Sequence, residues 1–163
     1  MIILGIDTSL RSTGSGVLEV RGSRFAVLDY GNIANPPRYT LTQCLRAIYQ
    51  KVSSLIEEHS PDVMAVESVI YGKNAGTMLV LGEARGAVLA AAACADLPVY
   101  EYEPRRMKKA ICGNGLAEKA QVQRMVKTLL GLQELPQNDA ADALGLAICH
   151  AHSQSSILAS KAI

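Results

Sequence analysis

Apolar residues follow two different periods along the chain, and these periods predict where strands and helices lie. Residues 2–6 form a continuous apolar run that ends at Asp7, a pattern typical of a central strand buried on both faces. Residues 13–20 and 24–32 are β-prone, and the turn residues 21–23 between them predict a hairpin. The first three strands should therefore form an antiparallel meander.

The rest of the chain predicts helices that alternate with two short strands. Apolar residues recur at helical spacing over 40–59, and the apolar run 63–66 ends at Glu67. A long helix is predicted over about 76–95 and a strand over 98–102. Three more helices are predicted: a short one after Pro104, one over about 117–130 and one over 139–152.

This order of elements predicts one α/β domain with a mixed sheet, because helical crossovers make the later strands parallel to the first. We expect the domain to cover residues 1–152 and the Ser-rich residues 153–163 to fray. The apolar helix over 76–95 contains Glu83 and Arg85, so we expect a buried helix and no membrane span. The first residues do not have the pattern of a signal peptide, which favours a cytoplasmic protein.

Composition adds little about the chemistry. Hydrophobic residues make up 49% of the 163 residues, which predicts a folded protein. The formal net charge is only +1, so any DNA-binding surface must come from segregated charges. No two cysteines have the C-x-x-C spacing, and we expect four buried free thiols, which favours a reducing compartment. They are Cys44, Cys94, Cys112 and Cys149.

Four carboxylates are placed so that they can converge. Asp7 and Glu67 end two strands at the edge where open α/β sheets bind ligands. Asp139 and Asp142 are three residues apart, on one face of the last helix. Oxygen ligands alone suit Mg²⁺ or Mn²⁺, and two such ions about 4 Å apart can assist phosphodiester cleavage. Asp139 alone also fits a simpler role at the helix N-terminus, beside Asn138 as the N-cap.

At these residues the sequence resembles the RuvC family of Holliday-junction resolvases. The resemblance implies an RNase H-like fold, a five-stranded mixed sheet flanked by helices. It also implies a homodimer that cuts two opposing strands of a four-way DNA junction, and a junction-binding and branch-migration complex, RuvA-RuvB, as a partner. The matching segments are GIDTSLRSTGSG, AVESVIYGKN, LGEARG, residues 102–122 and NDAADALGLAICHAH, which together extend from Met1 to about His152.

The same resemblance assigns roles to the acidic and basic residues. It implies that the four acids are the catalytic and metal-binding carboxylates of the family, with Mg²⁺ as the metal. Two lysines important for the family's activity match Lys108 and Lys119. Arg105 and Lys108 lie in the densest basic run. Simple solvation of their side chains at the surface of a helix is one interpretation, but we favour the interpretation that they contact DNA phosphates. Lys119 opens a helix, a position that disfavours a cation and so suggests an anionic partner such as the scissile phosphate.

The first motif departs from the family pattern. The family usually has Asp-Pro-Gly, whereas here Asp7 is followed by Thr8 and Ser9. Thr and Ser can still make the turn, and their hydroxyls can meet a phosphate.

The segment after the second acid departs as well. Many relatives carry a Phe shortly after this acid, and the matching position here is Ile70, with Tyr71 beside it. An apolar wedge can unstack bases, and a tyrosine can stack on one. Together with Lys73 and Asn74 these residues form a loop that we expect to contact the junction, although Asn74 also fits a helix cap.

Small residues recur every four positions on the long helix, at Gly82, Gly86 and Ala90. Packing on the protein's own sheet is the simplest explanation. The helix is apolar almost all round, however, so it needs a second buried face. A two-fold interface between two copies of the chain would supply that face.

Three other functions compete with junction cleavage. A lobe of an actin-like ATPase or sugar kinase would use residues 13–16 as a phosphate loop, but the chain is short for such an enzyme. Another RNase H-like nuclease would act on RNA or simple duplexes. A junction-binding module without activity would not need four acids.

Overall fold

The structure is a computed structural model that describes residues 1–68, 74–154 and 162–163. The order of elements predicted from the sequence is confirmed, with small shifts at their ends. The described residues form β1 (Ile2–Asp7), β2 (Ser12–Arg21), β3 (Arg24–Ala34), α1 (Leu41–His59), β4 (Val63–Glu67), α2 (Ala75–Cys94), β5 (Val99–Tyr102), α3 (Pro104–Cys112), α4 (Lys119–Leu130) and α5 (Asn138–Gln154).

The strands form one mixed sheet in the order β3-β2-β1-β4-β5. The pairs β1–β2 and β2–β3 are antiparallel, and the pairs β1–β4 and β4–β5 are parallel. Both the predicted meander and the predicted parallel strands are therefore confirmed. Because β1, β4 and β5 run the same way, they end at the same side of the sheet. We call this side, formed by Asp7, Glu67 and Tyr102, the carboxyl edge.

Helices cover both faces of the sheet, as the fully apolar pattern of β1 predicts. Successive residues of a strand point to opposite faces. Ile3 accordingly packs in the cluster that includes α3, α4 and α5, whereas Leu4 and Ile6 pack in the cluster with α1 and α2. The sheet is thus the middle layer of three.

Helix α5 lies unusually close to the sheet because glycines face it. A Cβ atom built on Gly5 would meet the backbone of Ala143, and one built on Gly14 would meet the backbone of Asp139. On Gly16 a Cβ would reach the side chain of Leu144 at 2.7 Å. These glycines let the backbone of α5 rest directly on β1 and β2, which fixes the position of the first turn of α5.

Residues 13–16 lie inside β2, where all four are paired with β3 and residues 14–16 are also paired with β1. They form a buried strand and no loop, so they do not make the phosphate loop that an actin-like ATPase would need. The prediction that four thiols are buried is wrong in part, because Cys94 at the end of α2 is exposed and Cys112 is half-buried. Cys94 lies near the last turn of α2, beside the side chain of Tyr49 on α1.

Helix α2 is long and apolar enough to cross a membrane by length and composition alone. One face of it is buried in the core through Ala84, Val88 and Ala92. The alternative that Gly82 and Gly86 pack on the protein's own sheet does not hold, because among the described residues a Cβ atom at either position would meet nothing within 4 Å. The described part of α2 therefore has one packed face and one uncovered face of small residues.

Candidate active site

The ends of two neighbouring strands place the first two acids side by side. Asp7 is the last residue of β1 and Glu67 the last residue of β4. The register pairs Ile6 with Val66, immediately before these acids. The side chains interact through a hydrogen bond between the two carboxyl groups.

The first turn of α5 brings the other two acids to the carboxyl edge. Helix α5 begins at Asn138, one residue earlier than predicted, so Asn138 is part of the helix and does not precede it as the N-cap. Asp139 and Asp142 lie in the first and second turns. Both carry charges that act on Asp7, so all four acids belong to one electrostatic cluster.

Burial and mutual repulsion make this cluster hard to ionise. Burial raises the pKa of Asp7 from 3.8 to about 8, and the charges of Glu67 and Asp142 add to the shift. Burial also raises the pKa of Asp142, to about 6, and that of Glu67. A site that concentrates partly buried carboxylates in this way is a candidate for binding a cation.

Two lysines oppose this repulsion. Lys108 on α3 and Lys119 at the start of α4 both lower the pKa values of Glu67 and Asp142. Gly113 makes this arrangement possible, because its φ of 71° ends α3 and lets the chain turn towards α4. The anionic partners of Lys119 in the structure are thus Glu67 and Asp142.

Hydrogen-bond donors from the meander hold Asp139. The hydroxyl of Ser12 donates to Oδ2 of Asp139 at 2.5 Å, and the amide of Asn32 donates to the same oxygen at 3.0 Å. Among the described residues, no three His, Cys, Asp or Glu side chains converge on one point closely enough to chelate an ion. The acids instead interact in smaller groups. Asp7 contacts Glu67, and Asp139 accepts hydrogen bonds from Ser12 and Asn32.

The other predicted DNA contacts are only partly within the described residues. Arg105 is exposed on α3, as a phosphate contact requires. Asn74 caps α2, since its side-chain oxygen accepts a hydrogen bond from the backbone amide of Thr77 at 3.1 Å. The predictions for Ile70, Tyr71 and Lys73 lie outside the described residues.

The turn after Asp7 is closed by a threonine from the next strand. The hydroxyl of Thr13 donates to the carbonyl oxygen of Ser9 at 2.5 Å and accepts from the amide of Ser9 at 3.3 Å. The hydroxyl of Thr8 is buried and has no hydrogen-bond partner among the described residues. Thr8 and Ser9 therefore make the turn where the family usually has Pro and Gly.

Sequence reasoning missed one buried arginine that supports the site. Arg85 of α2 donates to the carbonyl oxygen of Glu67 at 2.7 Å and forms an ion pair with Glu101 of β5. It thereby ties the end of β4 to α2. The available signal was a lone cation in an otherwise apolar helix, which indicates a buried ion pair.

The sheet order, the five helices of the described residues and the acids at the carboxyl edge define an RNase H-like domain. Comparisons with known proteins identify the family. The family model described as "Crossover junction endodeoxyribonuclease RuvC" matches residues 3–150. A curated crossover junction endodeoxyribonuclease RuvC of Idiomarina loihiensis is 50% identical over 161 residues, which is 96% of this chain and 90% of that protein. The chain belongs to the RuvC family.

Solved structures agree with this assignment. The RuvC structure of Thermus thermophilus has a TM-score of 0.88 and 32% identity, with full coverage of both chains. T. thermophilus RuvC in complex with a Holliday junction substrate has a TM-score of 0.89 and 30% identity, again with full coverage. The predicted family and the predicted fold are therefore confirmed.

Proposed function

We propose that the protein is a structure-selective endonuclease that resolves four-way DNA junctions by hydrolysing a phosphodiester bond in each of two opposing strands. The observation that carries this proposal is the cluster of Asp7, Glu67, Asp139 and Asp142 at the carboxyl edge of a RuvC-family fold. The T. thermophilus relative, similar over its whole length, is described in complex with a Holliday junction. The substrate of that relative supports our proposal that this protein also acts on four-way DNA junctions.

The chemistry of the four acids suits a divalent cation, and we propose that they are its ligands. Their donor atoms are all carboxylate oxygens, which suit Mg²⁺ and Mn²⁺. Repulsion among the acids would be relieved by positive charge, as the raised pKa values of Asp7 and Asp142 indicate. Two Mg²⁺ ions, when bound, supply an activated water and stabilise the leaving oxygen.

The basic residues serve the DNA backbone. Lys108 and Lys119 lie beside the acids, where a cation can hold the scissile phosphate against the negative cluster. Arg105 contacts a more distant phosphate from the exposed side of α3. We propose that the segment with Ile70, Tyr71, Lys73 and Asn74 contacts the bases and backbone at the centre of the junction.

Two copies of the chain form the active unit, with α2 as the interface. Its uncovered face carries Leu79, of which 66% is exposed, and the exposed small residues Gly82, Gly86 and Ala90. Small residues permit close approach of two helices, and burial of this apolar face would favour association. A two-fold dimer presents two equivalent active sites to two equivalent strands. We further propose that this dimer works in the cytoplasm with RuvA-RuvB.

Cleavage of a synthetic four-way junction tests the function. The junction should have a core that can branch migrate, so that many sequences pass through the crossover. In Mg²⁺ the protein should produce paired nicks at symmetric positions in two opposing strands, and EDTA should prevent them. End-labelled strands on a denaturing gel show both the pairing and the positions.

Matched competitors separate junction cleavage from other nuclease activities. A duplex and an RNA–DNA hybrid with the sequences of the junction arms should compete poorly at the same salt concentration, which must be fixed because phosphate contacts depend on it. Faster cleavage of the hybrid would assign the protein to another RNase H-like activity. Equal binding of duplex and junction would contradict the substrate proposed here.

The interface on α2 predicts that a charge at its centre separates the dimer. Gly86→Glu should shift the protein from dimer to monomer in sedimentation velocity, because two carboxylates would be buried against each other. Thr128→Glu, on the exposed side of α4, is the control and should leave the dimer intact. A dimer that survives Gly86→Glu at micromolar concentration would place the interface elsewhere.

A further inference from the structure

A closed hydrogen-bond triangle surrounds one oxygen of the acid cluster. Ser12 donates to Oδ2 of Asp139 at 2.5 Å, and Asn32 donates to that oxygen at 3.0 Å. The amide of Asn32 also donates to the hydroxyl of Ser12 at 2.8 Å. An amide nitrogen has two hydrogens and a hydroxyl has one, so the three donors are all used within the triangle.

The packing of the sheet explains why these three residues meet. Asn32 of β3 pairs with Gly14 of β2, and Ser12 pairs with Ala34, so the two polar side chains are diagonal neighbours on the meander. The missing side chain of Gly14 lets the backbone of Asp139 approach at the same place. The meander therefore has a polar pair at the point where the first turn of α5 rests on it.

We propose that Ser12 and Asn32 are positioning residues that hold Asp139 by Oδ2 and leave its other carboxylate oxygen for the metal. All hydrogen bonds that reach the Asp139 side chain from the described residues end on Oδ2. Two donors on one oxygen fix the rotamer of the Asp139 side chain. This inference rests on the proposed role of Asp139 as a metal ligand.

Such hydrogen bonds around a ligand tune metal affinity. Loss of a group that orients a metal ligand generally lowers metal affinity or activity by about 10–100-fold. Ser12→Ala and Asn32→Ala should therefore weaken the binding of Mn²⁺ alone by about 10-fold or more, measured as free Mn²⁺ by electron paramagnetic resonance. The Mg²⁺ concentration for half-maximal cleavage should rise in parallel, while the rate at saturating Mg²⁺ changes much less.

A neighbouring serine supplies the matched control. Ser15 lies in the same strand and also donates to β3, but its hydroxyl bonds the carbonyl oxygen of Gly31 at 3.3 Å and no carboxylate. Ser15→Ala should leave Mn²⁺ affinity unchanged. Ser12→Thr keeps a hydroxyl donor and should restore most of the affinity that Ser12→Ala loses.

The outcomes separate this inference from the function on which it rests. Asp139→Asn is included as the reference variant. If Asp139→Asn weakens Mn²⁺ binding but Ser12→Ala and Asn32→Ala behave like Ser15→Ala, the positioning role is overturned and the metal site stands. If Asp139→Asn binds Mn²⁺ as tightly as the parent, both the ligand role of Asp139 and the positioning role are overturned.

Discussion

Asp7→Asn should abolish cleavage and at the same time stabilise the metal-free protein. Asn keeps the shape of the side chain and can still hydrogen-bond Glu67, but it removes one charge from the crowded cluster. Loss of a metal-binding carboxylate removes several kcal/mol of transition-state stabilisation, so cleavage should fall by at least about 1,000-fold. Junction binding, measured by electrophoretic mobility shift, should persist because the phosphate contacts remain.

The gain in stability follows from the direction of the pKa shift. A carboxyl group whose pKa is raised by folding binds its proton more tightly in the folded state, so its ionised form destabilises the fold. For Asp7 this cost begins near the ordinary pKa of 3.8 and is complete above about 8. Asp7→Asn should therefore raise Tm most above pH 8, and the difference from the parent should shrink as the pH falls towards 5.

The size of the effect can be checked by thermal unfolding in EDTA. A stabilisation of at least about 1 kcal/mol corresponds to roughly 2–4 °C in Tm for a chain of this size. Glu58→Gln, on the exposed side of α1, is the control and should change neither Tm nor cleavage appreciably. If Asp7→Asn melted below the parent at pH 8.5, the acids would not be repelling one another in the folded protein.

The ends of the strands could be predicted from the sequence because their signal is local. A continuous apolar run must be buried on both faces, and an acid at its end marks the edge where the chain leaves the core. Asp7 and Glu67 each end such a run, and the sheet order confirms that they are neighbours. The helical pair Asp139 and Asp142 is equally local, because its spacing alone places both on one face.

The partners of these acids could not be predicted, because their contacts depend on the tertiary structure. Ser12 is separated from Asp139 by 127 positions and Asn32 by 107, and only the packing of α5 on the meander brings them together. Asn32 gave a weak signal, since Asn is uncommon in strands. Arg85 gave another as a cation in an apolar helix, but its partners on β4 and β5 depend on the fold.

For a related reason, the sequence did not show whether the small residues of α2 face the sheet or the surface of the protein. A helix that is apolar almost all round has a very low amphipathic signal, so its sequence does not show which side faces the sheet. The structure resolves this, because Ala84 and Val88 are buried and Gly82 and Gly86 are exposed. The glycines that do permit close packing on the sheet are those of β1 and β2, which face α5.

Gly5→Ala should displace α5 from the sheet and thereby lower the cleavage activity. The added Cβ would clash with the backbone carbonyl of Ala143 and lie 3.2 Å from the backbone nitrogen of Ala147. These are helix backbone atoms, so no side chain can rotate to make room. Overpacking of this kind costs about 3 kcal/mol or more in the free energy of unfolding, measurable by urea denaturation. In the variant molecules that remain folded, α5 should be displaced from the sheet, and Asp139 and Asp142 should move with it.

Two other glycines test whether close approach is the cause. In Gly31→Ala, in β3, the new Cβ meets nothing within 4 Å in the described part of the chain, so this change should be harmless. Gly145→Ala lies on α5 itself, but its Cβ would meet the end of the flexible Met107 side chain at 2.9 Å, which can move, and Ala favours the helix. Both should keep cleavage, whereas a misplacement of about 1 Å in Gly5→Ala should lower it by about 100-fold. If Gly5→Ala unfolded at the same urea concentration as Gly31→Ala, the backbone of α5 would not rest on β1, and another feature would have to hold its two acids at the carboxyl edge.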